Sequence, residues 1–318
     1  MSSKSNDQGR SFEYACILEL KNSIGIIRPV KIELDSIFAA QRAWKLQDKT
    51  TQNKLMKAAH AFVDTLFSAE PLILECNDFD DIISLSINKD SDAEDGDVRD
   101  IVISRNNINW NIGLSLKHNH FAAKHSRLSE KIDFGCKWYG IPCSKSYWEA
   151  ISPIFENLKQ LKNKKMAWHN IEKKEQNVYI PLLTAFMTEL ENTYKTNNYM
   201  VGKLMSYLLG IRDFYKVLAI DNKEVTEFQT FNLRGELNRD GKHSKSTFFV
   251  PVAELPTEII KLRFKPASTN TVELYMNNGW SLSFRIHNAS TMVEPSLKFD
   301  IQFLGVPANI ITVNCKWL

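Results

Sequence analysis

Hydrophobic residues spaced three and four positions apart predict helices in the first seventy residues. In "NDQGRSFEYACILELKNSIG", Ile17, Leu20 and Ile24 form one apolar stripe, and Gly25 marks its end. Residues 35 to 69 repeat this period and predict one or two more amphipathic helices. Glu13 lies on the apolar stripe of the first helix, where a carboxylate needs a partner. A salt bridge near the helix N-terminus and a functional role explain that position equally well.

Three apolar segments separated by turn residues predict an antiparallel meander: "DIISLSIN", "RDIVIS" and "INWNIGLSLK". In the third, Trp110, Ile112, Leu114 and Leu116 alternate with Asn, Gly, Ser and Lys. Successive side chains of a strand point to opposite faces, so one face packs against the core. The other face is polar.

The rest of the chain predicts helices followed by strands. The segments "SYWEAISPIFENLKQL", "YIPLLTAFMTELENTY" and "YMVGKLMSYLLG" have helical periodicity, and 214–220, "FYKVLAI", has the composition of a buried strand. After residue 247 we expect strands in "STFFVPVA", "EIIKLRF", "TVELYM", "GWSLSFRIH", "LKFDIQFL" and "IITVNCKWL", with a hairpin turn at "NNG".

The predicted fold class is therefore α/β, with a mixed sheet flanked by helices and a β-rich C-terminal part. The polar linker "RGELNRDGKHSKS", residues 234–246, suggests a division into a core with helical insertions, 1–240, and a C-terminal subdomain, 241–318.

Charge is distributed unevenly along the chain. The formal net charge is +3, but residues 75–100 hold ten acids and two bases, while residues 117–174 hold twelve Lys and Arg against five acids. A basic segment is typical of proteins that bind a phosphate backbone, although "NLKQLKNKK" alone fits a solvated helix face. The acidic turn "DSDAEDGDVRD" lacks the Gly and Glu of an EF-hand, so we interpret it as a solvated turn.

Cysteine use and hydropathy indicate a cytoplasmic protein. Five scattered cysteines without a CxxC pair argue against a disulfide framework. His118, His120 and His125 precede Cys136 and Cys143, but the spacing matches no standard zinc finger or ribbon. The first residues are polar, and no apolar run reaches the length of a membrane span.

Asp100, Ser115 and Lys117 suggest phosphodiester chemistry. Hydrolysis near neutral pH needs a divalent metal held by hard oxygen ligands and a cation near the nucleophile or the scissile group. Asp100 opens one predicted strand, and Ser115 and Lys117 lie on the polar face of the next. Glu13 on the preceding helix is a second candidate acid. An Asp followed by a distant x-x-Lys is a weak signal, so the residues alone indicate no more than a phosphodiesterase that binds nucleic acid.

Specific segments nevertheless resemble a known family. The order of helix, strand, Asp and Lys resembles the PD-(D/E)xK nuclease superfamily, and "GRSFEYACILEL", "DIVIS", "WNIGLSLKHNHFAAKHSRLS" and "GWSLSFRIHNAST" resemble the HaeIII family of type II restriction endonucleases. The resemblance extends over most of the chain. It implies magnesium-dependent cleavage of double-stranded DNA at the palindrome GGCC, cut bluntly at its centre, and a cognate methyltransferase in the host. Cutting both strands suggests a homodimer or two monomers acting in turn.

The resemblance also implies residue roles. Asp100 would bind the metal, Lys117 would orient or help to deprotonate the attacking water, and Glu13 would be a supporting acid and second metal ligand. The chain departs from the motif at Ser115, a neutral hydroxyl in place of an acid. Glu13 or Asp97 would then supply the missing charge.

Two basic segments are candidate DNA contacts. In "KHNHFAAKHSRLS", we expect Lys124 and Arg127 to contact phosphates, and His118, His120 or His125 to donate hydrogen bonds or act as acid or base near the scissile phosphate. The alternative is a basic surface helix. In "FRIHNAS", the candidate base-reading residues are Arg285, His287 and Asn288. The alternative there is a strand that faces solvent.

Two other functions remain open from the sequence. A structure-specific or repair nuclease on the same core would cleave without a fixed sequence. A non-catalytic DNA-binding protein that has lost its metal site would bind DNA independently of magnesium, and the missing carboxylate at Ser115 is compatible with this alternative.

Overall fold

The structure, a computed structural model, describes residues 4–76, 81–88, 96–119 and 122–318. The helices are α1 Lys4–Gly25, α2 Leu34–Lys45, α3 Lys49–Ala69, α4 Phe134–Tyr139, α5 Lys145–Asn163, α6 Ile180–Thr196 and α7 Met200–Leu209. The strands are β1 Val30–Ile32, β2 Ile83–Ile87, β3 Ile101–Arg105, β4 Trp110–His118, β5 Ala122–Leu128, β6 Phe214–Ile220, β7 Val225–Phe231, β8 Ile259–Phe264, β9 Thr271–Met276, β10 Ser281–Asn288, β11 Leu297–Gly305 and β12 Thr312–Lys316. Within these described ranges, no helix combines the length and the apolarity needed to span a bilayer.

The first of two compact units, residues 1–121, 210–253 and 308–318, contains a mixed seven-stranded sheet in the order β1-β2-β3-β4-β6-β7-β12. Strands β1 and β2 are parallel, as are β4 and β6, and the other neighbours are antiparallel. Helices α1 and α3 pack on one face. There, Phe12 and Leu20 of α1 and Phe62 of α3 share a core with Leu114 of β4 and Phe228 of β7. The polar face of β4 lies on the opposite side.

The second unit, residues 122–209 and 254–307, contains an antiparallel five-stranded sheet in the order β5-β11-β10-β9-β8. Its inner face packs against helices. Phe186 of α6 lies with its ring centroid 5.2 Å from that of Phe284 on β10 and 4.9 Å from that of Phe299 on β11. Trp138 of α4 stacks on the same two rings. These aromatic side chains point to the inner face. Because successive side chains of a strand alternate between its faces, Arg285 and His287 point to the outer face.

The predicted fold class is confirmed: a mixed sheet is flanked by helices, and the C-terminal part is rich in strands. The meander is β2, β3 and β4 in antiparallel register. The "NNG" turn joins β9 to β10, with positive φ at Asn278 and Gly279 and a hydrogen bond from the Met276 N–H to the Trp280 carbonyl. The acidic turn at residues 89–95 lies outside the described residues.

The structure differs from the sequence-based description in its division of the chain. No unit boundary lies at residue 240, because β6, β7 and β12 extend the sheet that β1 to β4 begin, whereas residues 122–209 belong with β8 to β11. The segment "STFFVPVA" contains no strand. The Val250 N–H donates to the Asn238 side chain, and the Val250 carbonyl accepts from the Asn232 side chain. The Ala253 N–H donates to the Asn232 carbonyl, so these backbone groups have partners without a strand ladder.

The basic segment after Lys117 contains a strand and not the surface helix that was considered as the alternative. Residues 122–128 form β5, which pairs with β11 in antiparallel register, with Arg127 opposite Lys298. The ladder satisfies the backbone groups of β5 and sends its alternate side chains to opposite faces of the sheet. Strands β1 and β7 were not predicted.

Candidate active site and DNA-binding face

Asp100 and Lys117 meet where β3 and β4 pair. Asp100 directly precedes β3, and its backbone N–H donates to the Leu114 carbonyl at 2.7 Å. Its carboxylate accepts hydrogen bonds from the Leu116 N–H at 2.5 Å and from Lys117 Nζ at 3.2 Å. Both side chains are a little under one-third exposed. Strand pairing therefore holds an acid and an amine together at a point that solvent can reach.

Glu13 lines the same cavity as Asp100. The cavity has a volume of about 420 Å³ and lies between α1, α2 and the segment that leads into β3. Burial of Cys16, one turn after Glu13, raises the pKa of its thiol, and the nearby carboxylates of Glu13, Glu19 and Asp100 raise it further. Glu13, Glu19 and Asp100 therefore all lie within electrostatic range of the Cys16 thiol. The charged lining of the cavity consists of Arg10, Glu13, Asp35, Arg42, Asp97, Arg99 and Asp100.

Ser115 lies beside Asp100 but is 6% exposed, and its Oγ is 3.5 Å from the Asp100 carboxylate. Asp97, the other acid considered for the missing charge, forms an ion pair with Arg99 at 2.7 Å. Burial raises the pKa of Asp97, but the hydrogen bonds from Arg99 outweigh that effect and lower it overall. Both acids, Glu13 and Asp97, line the cavity together with Asp100.

Gly113 allows Arg99 to lie across β4. A Cβ at residue 113 would come within 2.0 Å of the Arg99 Cδ, so any larger residue would displace that side chain. Arg99 also donates to the Asn111 side chain at 2.7 Å. The polar face of β4 next to Asp100 thus carries a fixed guanidinium paired with Asp97.

His118 is enclosed by the protein. Its side chain is 5% exposed, and Nε2 lies 2.8 Å from the Asp221 carboxylate. Asn119 follows it and accepts a hydrogen bond from the Asp221 N–H. His118 thus ties the end of β4 to the turn after β6, and its described contacts are those of a structural residue. His120 and the side chain of His125 lie outside the described parts of the structure.

Lys124 and Arg127 lie on opposite faces of β5. Lys124 Nζ donates to the Tyr207 carbonyl at 3.1 Å and lies 3.8 Å from the centroid of the Tyr207 ring. Burial lowers its pKa to about 8, with a smaller contribution from Lys137. Arg127 is exposed and donates to Ser296 Oγ at 3.2 Å. Of these two expected phosphate contacts, Arg127 alone lies on the outer face of the sheet.

The outer face of the five-stranded sheet also holds Arg285 and His287. Lys298 of β11 is in register with His287 on one side and Arg127 on the other. Arg285 and Lys298 are exposed. His287 is more constrained, because Nε2 lies 2.8 Å from the Asp300 carboxylate and Nδ1 lies 3.1 Å from the Asn288 carbonyl.

Two basic segments far apart in the sequence therefore share one sheet face. We call Arg127, Arg285, His287 and Lys298 the cationic face. Asn288 ends β10 and donates to the Ser290 carbonyl at 2.7 Å.

Comparison with known proteins identifies the family. Residues 9–307 match the family model described as HaeIII restriction endonuclease. The chain belongs to this family. It is also 48% identical to the type II restriction enzyme HaeIII of Haemophilus aegyptius over 319 aligned residues, which cover all of this chain and 99% of that enzyme. No solved structure matches the chain.

Membership of the HaeIII restriction endonuclease family makes the protein a site-specific deoxyribonuclease that acts on DNA. The predicted family resemblance is confirmed. Enzymes of this type generally use divalent metal ions, so the acids beside Lys117 are the natural place to look for a metal site.

The donor set at Asp100 fits a magnesium ion that is completed by substrate. The described residues contain no group of three or more His, Cys, Asp or Glu that could hold a metal ion by themselves. Magnesium is commonly bound through one or two carboxylates, with water and substrate phosphates as the other ligands. Asp100 and Glu13, which line one cavity, supply two such carboxylates.

Sequence patterns missed two lysines near these sites. Lys216 lies in the middle of β6, where six apolar residues identify a buried strand and conceal the charge. A lysine within such a strand is itself an unusual signal. Lys298 lies on the cationic face, and its relation to Arg127 depends on the pairing of β5 with β11, which no local pattern encodes.

Proposed function

We propose that this restriction endonuclease hydrolyses both strands of the palindrome GGCC in double-stranded DNA, with Mg²⁺ as cofactor. The observation that carries the proposal is the hydrogen bond between Asp100 and Lys117 where β3 and β4 pair, with Glu13 lining the same cavity. The proposed cleavage centre combines carboxylates for a hard cation with an amine, the set of groups that metal-assisted phosphodiester hydrolysis needs.

Asp100 and Glu13 would hold the magnesium ion, which supplies an activated water and neutralises charge on the phosphate when it is bound. Lys117 would orient the attacking water or help to remove its proton. The Leu116 N–H fixes the Asp100 carboxylate, which leaves the Lys117 amine close to it. Ser115 contributes a hydroxyl beside this pair and keeps its place in the motif free of a second negative charge.

The cationic face would bind the DNA. Arg127 and Lys298 are suited to phosphates, and Arg285 is suited to a guanine edge, because a guanidinium pairs with guanine O6 and N7 in the major groove. The Asp300 carboxylate and the Asn288 carbonyl hold the His287 ring, so His287 and Asn288 act by shaping the surface beside Arg285. Lys124 contributes positive charge from the inner face of β5. His120 and His125 are the candidates for the region near the scissile phosphate, whereas His118 is held by Asp221.

The remaining proposals concern assembly and location. A palindrome cut on both strands suits a homodimer whose two-fold axis matches that of the DNA. A host that carries this enzyme in its cytoplasm needs a cognate methyltransferase to protect its own sites.

Cleavage of unmethylated phage DNA tests the proposed specificity and cofactor. We expect discrete blunt fragments with ends at the centre of GGCC in the presence of magnesium and none in the presence of chelator. Mapping of the fragment ends by sequencing gives the result directly. Ends at another fixed sequence would contradict the GGCC assignment, and cleavage without a fixed sequence would indicate a structure-specific nuclease. Equal cleavage in excess chelator would contradict the proposal that a metal ion is required.

A further inference from the structure

A lysine lies in the middle of the buried strand β6. All seven residues of this strand are buried, and Lys216 is 8% exposed. Burial of an ammonium group costs free energy unless partners compensate it, and lysine is rarely buried to this degree. The position of Lys216 therefore suggests a role in function.

Strand pairing places Lys216 beside the proposed cleavage centre. Strand β6 runs parallel to β4, with Lys216 in register with Ser115 and Leu218 in register with Lys117. Register partners on neighbouring strands point to the same face of a sheet. The Lys216 side chain therefore points to the polar face that carries Ser115 and Lys117. Burial and, to a smaller extent, the positive charge of Lys117 lower the pKa of Lys216 to about 8, against an opposing effect from Glu227.

We infer that Lys216 is a positioning residue of the cleavage centre: its positive charge keeps Lys117 directed toward Asp100 and weakens magnesium binding until DNA is present. This inference rests on the proposed function of Asp100 and Lys117.

The charges near the centre explain why magnesium would bind weakly in the absence of DNA. The charged lining of the cavity, four acids and three arginines, carries a formal charge of −1, and Lys117 and Lys216 add +2, while Ser115 is neutral where the family motif has an acid. A divalent cation gains little from such a balanced set. A DNA phosphate adds the missing negative charge and a further oxygen ligand, so the metal binds well only with substrate in place.

Lys216→Met tests the inference, because methionine keeps an unbranched side chain and removes the charge. For protein already bound to a GGCC duplex, we expect cleavage after magnesium addition to be slower by about tenfold or more. Affinity for the same duplex in chelator is expected to stay near the wild-type value. Isothermal titration with Mg²⁺ alone is expected to show tighter binding to DNA-free Lys216→Met than to the wild type. The thermal midpoint is measured on the same samples, so that slower cleavage caused by loss of folded protein is distinguished from slower cleavage by the folded enzyme.

Two further variants separate charge from structure. Lys223→Met removes an exposed lysine in the turn between β6 and β7 and is expected to match the wild type in every assay. Lys216→Arg keeps the charge and is expected to cleave faster than Lys216→Met. Wild-type cleavage by Lys216→Met, or slower cleavage with a lower thermal midpoint and unchanged magnesium affinity, would overturn the inference. Failure of the proposed centre itself would be seen separately, as retained cleavage in Asp100→Asn.

Discussion

Glu70 is a buried carboxyl group outside the proposed cleavage centre. It follows α3 and accepts hydrogen bonds from the Tyr215 hydroxyl at 2.6 Å and from the Asn238 N–H at 2.5 Å. Burial raises its pKa to about 7, although both hydrogen bonds oppose the shift. One carboxyl oxygen thus links the end of α3, strand β6 and the segment after β7.

The raised pKa of Glu70 predicts a pH-dependent stability. Between about pH 4.5 and pH 7, the folded protein keeps the Glu70 proton and the unfolded chain does not, so the free energy of unfolding falls as pH rises through this window. Glu70→Gln keeps an acceptor oxygen and removes the titration. Relative to wild type, we expect this variant to gain about 2 kcal/mol of unfolding free energy between pH 5 and pH 8. Urea denaturation at the two pH values measures the gap.

Glu191→Gln removes an exposed carboxylate on α6 and is the matched control for Glu70→Gln. Its difference from wild type is expected to be the same at both pH values. A Glu70→Gln gap that also stayed constant with pH would contradict the raised pKa.

At the scale of the elements, the outer face of the five-stranded sheet carries the DNA-binding proposal. The inner face packs its aromatic residues against helices, while β5, β10 and β11 present Arg127, Arg285 and Lys298 on the outer face. Substitutions there are expected to change DNA binding and leave the inner core intact.

Arg285→Ala and Lys298→Ala are expected to affect DNA binding differently. Loss of a guanine contact costs about 1–3 kcal/mol and relaxes discrimination at one base pair, so Arg285→Ala is expected to narrow the gap between GGCC and single-mismatch duplexes. Lys298→Ala is expected to weaken binding to all duplexes alike and to reduce the salt slope of log K by about 1. Fluorescence anisotropy across a salt series measures both effects. Lys195→Ala, an exposed lysine on α6, is the control. Wild-type binding by both test variants would contradict the proposal that the cationic face binds DNA.

The elements of the cleavage centre were partly predictable from the sequence. Local alternation in β4 places Lys117 on a polar face, and helical spacing in α1 identifies Glu13 as an unusual carboxylate. Long-range pairing was not predictable. Strands β4 and β6 pair in parallel, but all the helices of the second unit lie between them in the sequence. Lys216 and Lys298 were therefore missed. The strand β5 was not predicted, because its charged residues obscure the alternation of polar and apolar positions.

At the scale of the whole molecule, site-specific cleavage needs DNA recognition and hydrolysis in one chain. The proposed cleavage centre belongs to the unit with the mixed seven-stranded sheet, and the cationic face belongs to the unit with the antiparallel sheet. Each unit has its own core. Substitutions in the proposed cleavage centre are therefore expected to leave DNA binding measurable, and substitutions on the cationic face are expected to leave hydrolysis measurable.

The most direct test of the account is the single-turnover cleavage rate of Asp100→Asn on a GGCC duplex, with affinity for that duplex measured in chelator. Asparagine keeps an oxygen that can accept from the Leu116 N–H and removes the charge that magnesium needs. We predict a rate about 1000-fold or more below the wild type, with DNA affinity close to the wild-type value. Cleavage within tenfold of the wild-type rate would contradict the assignment of Asp100 to the cleavage centre.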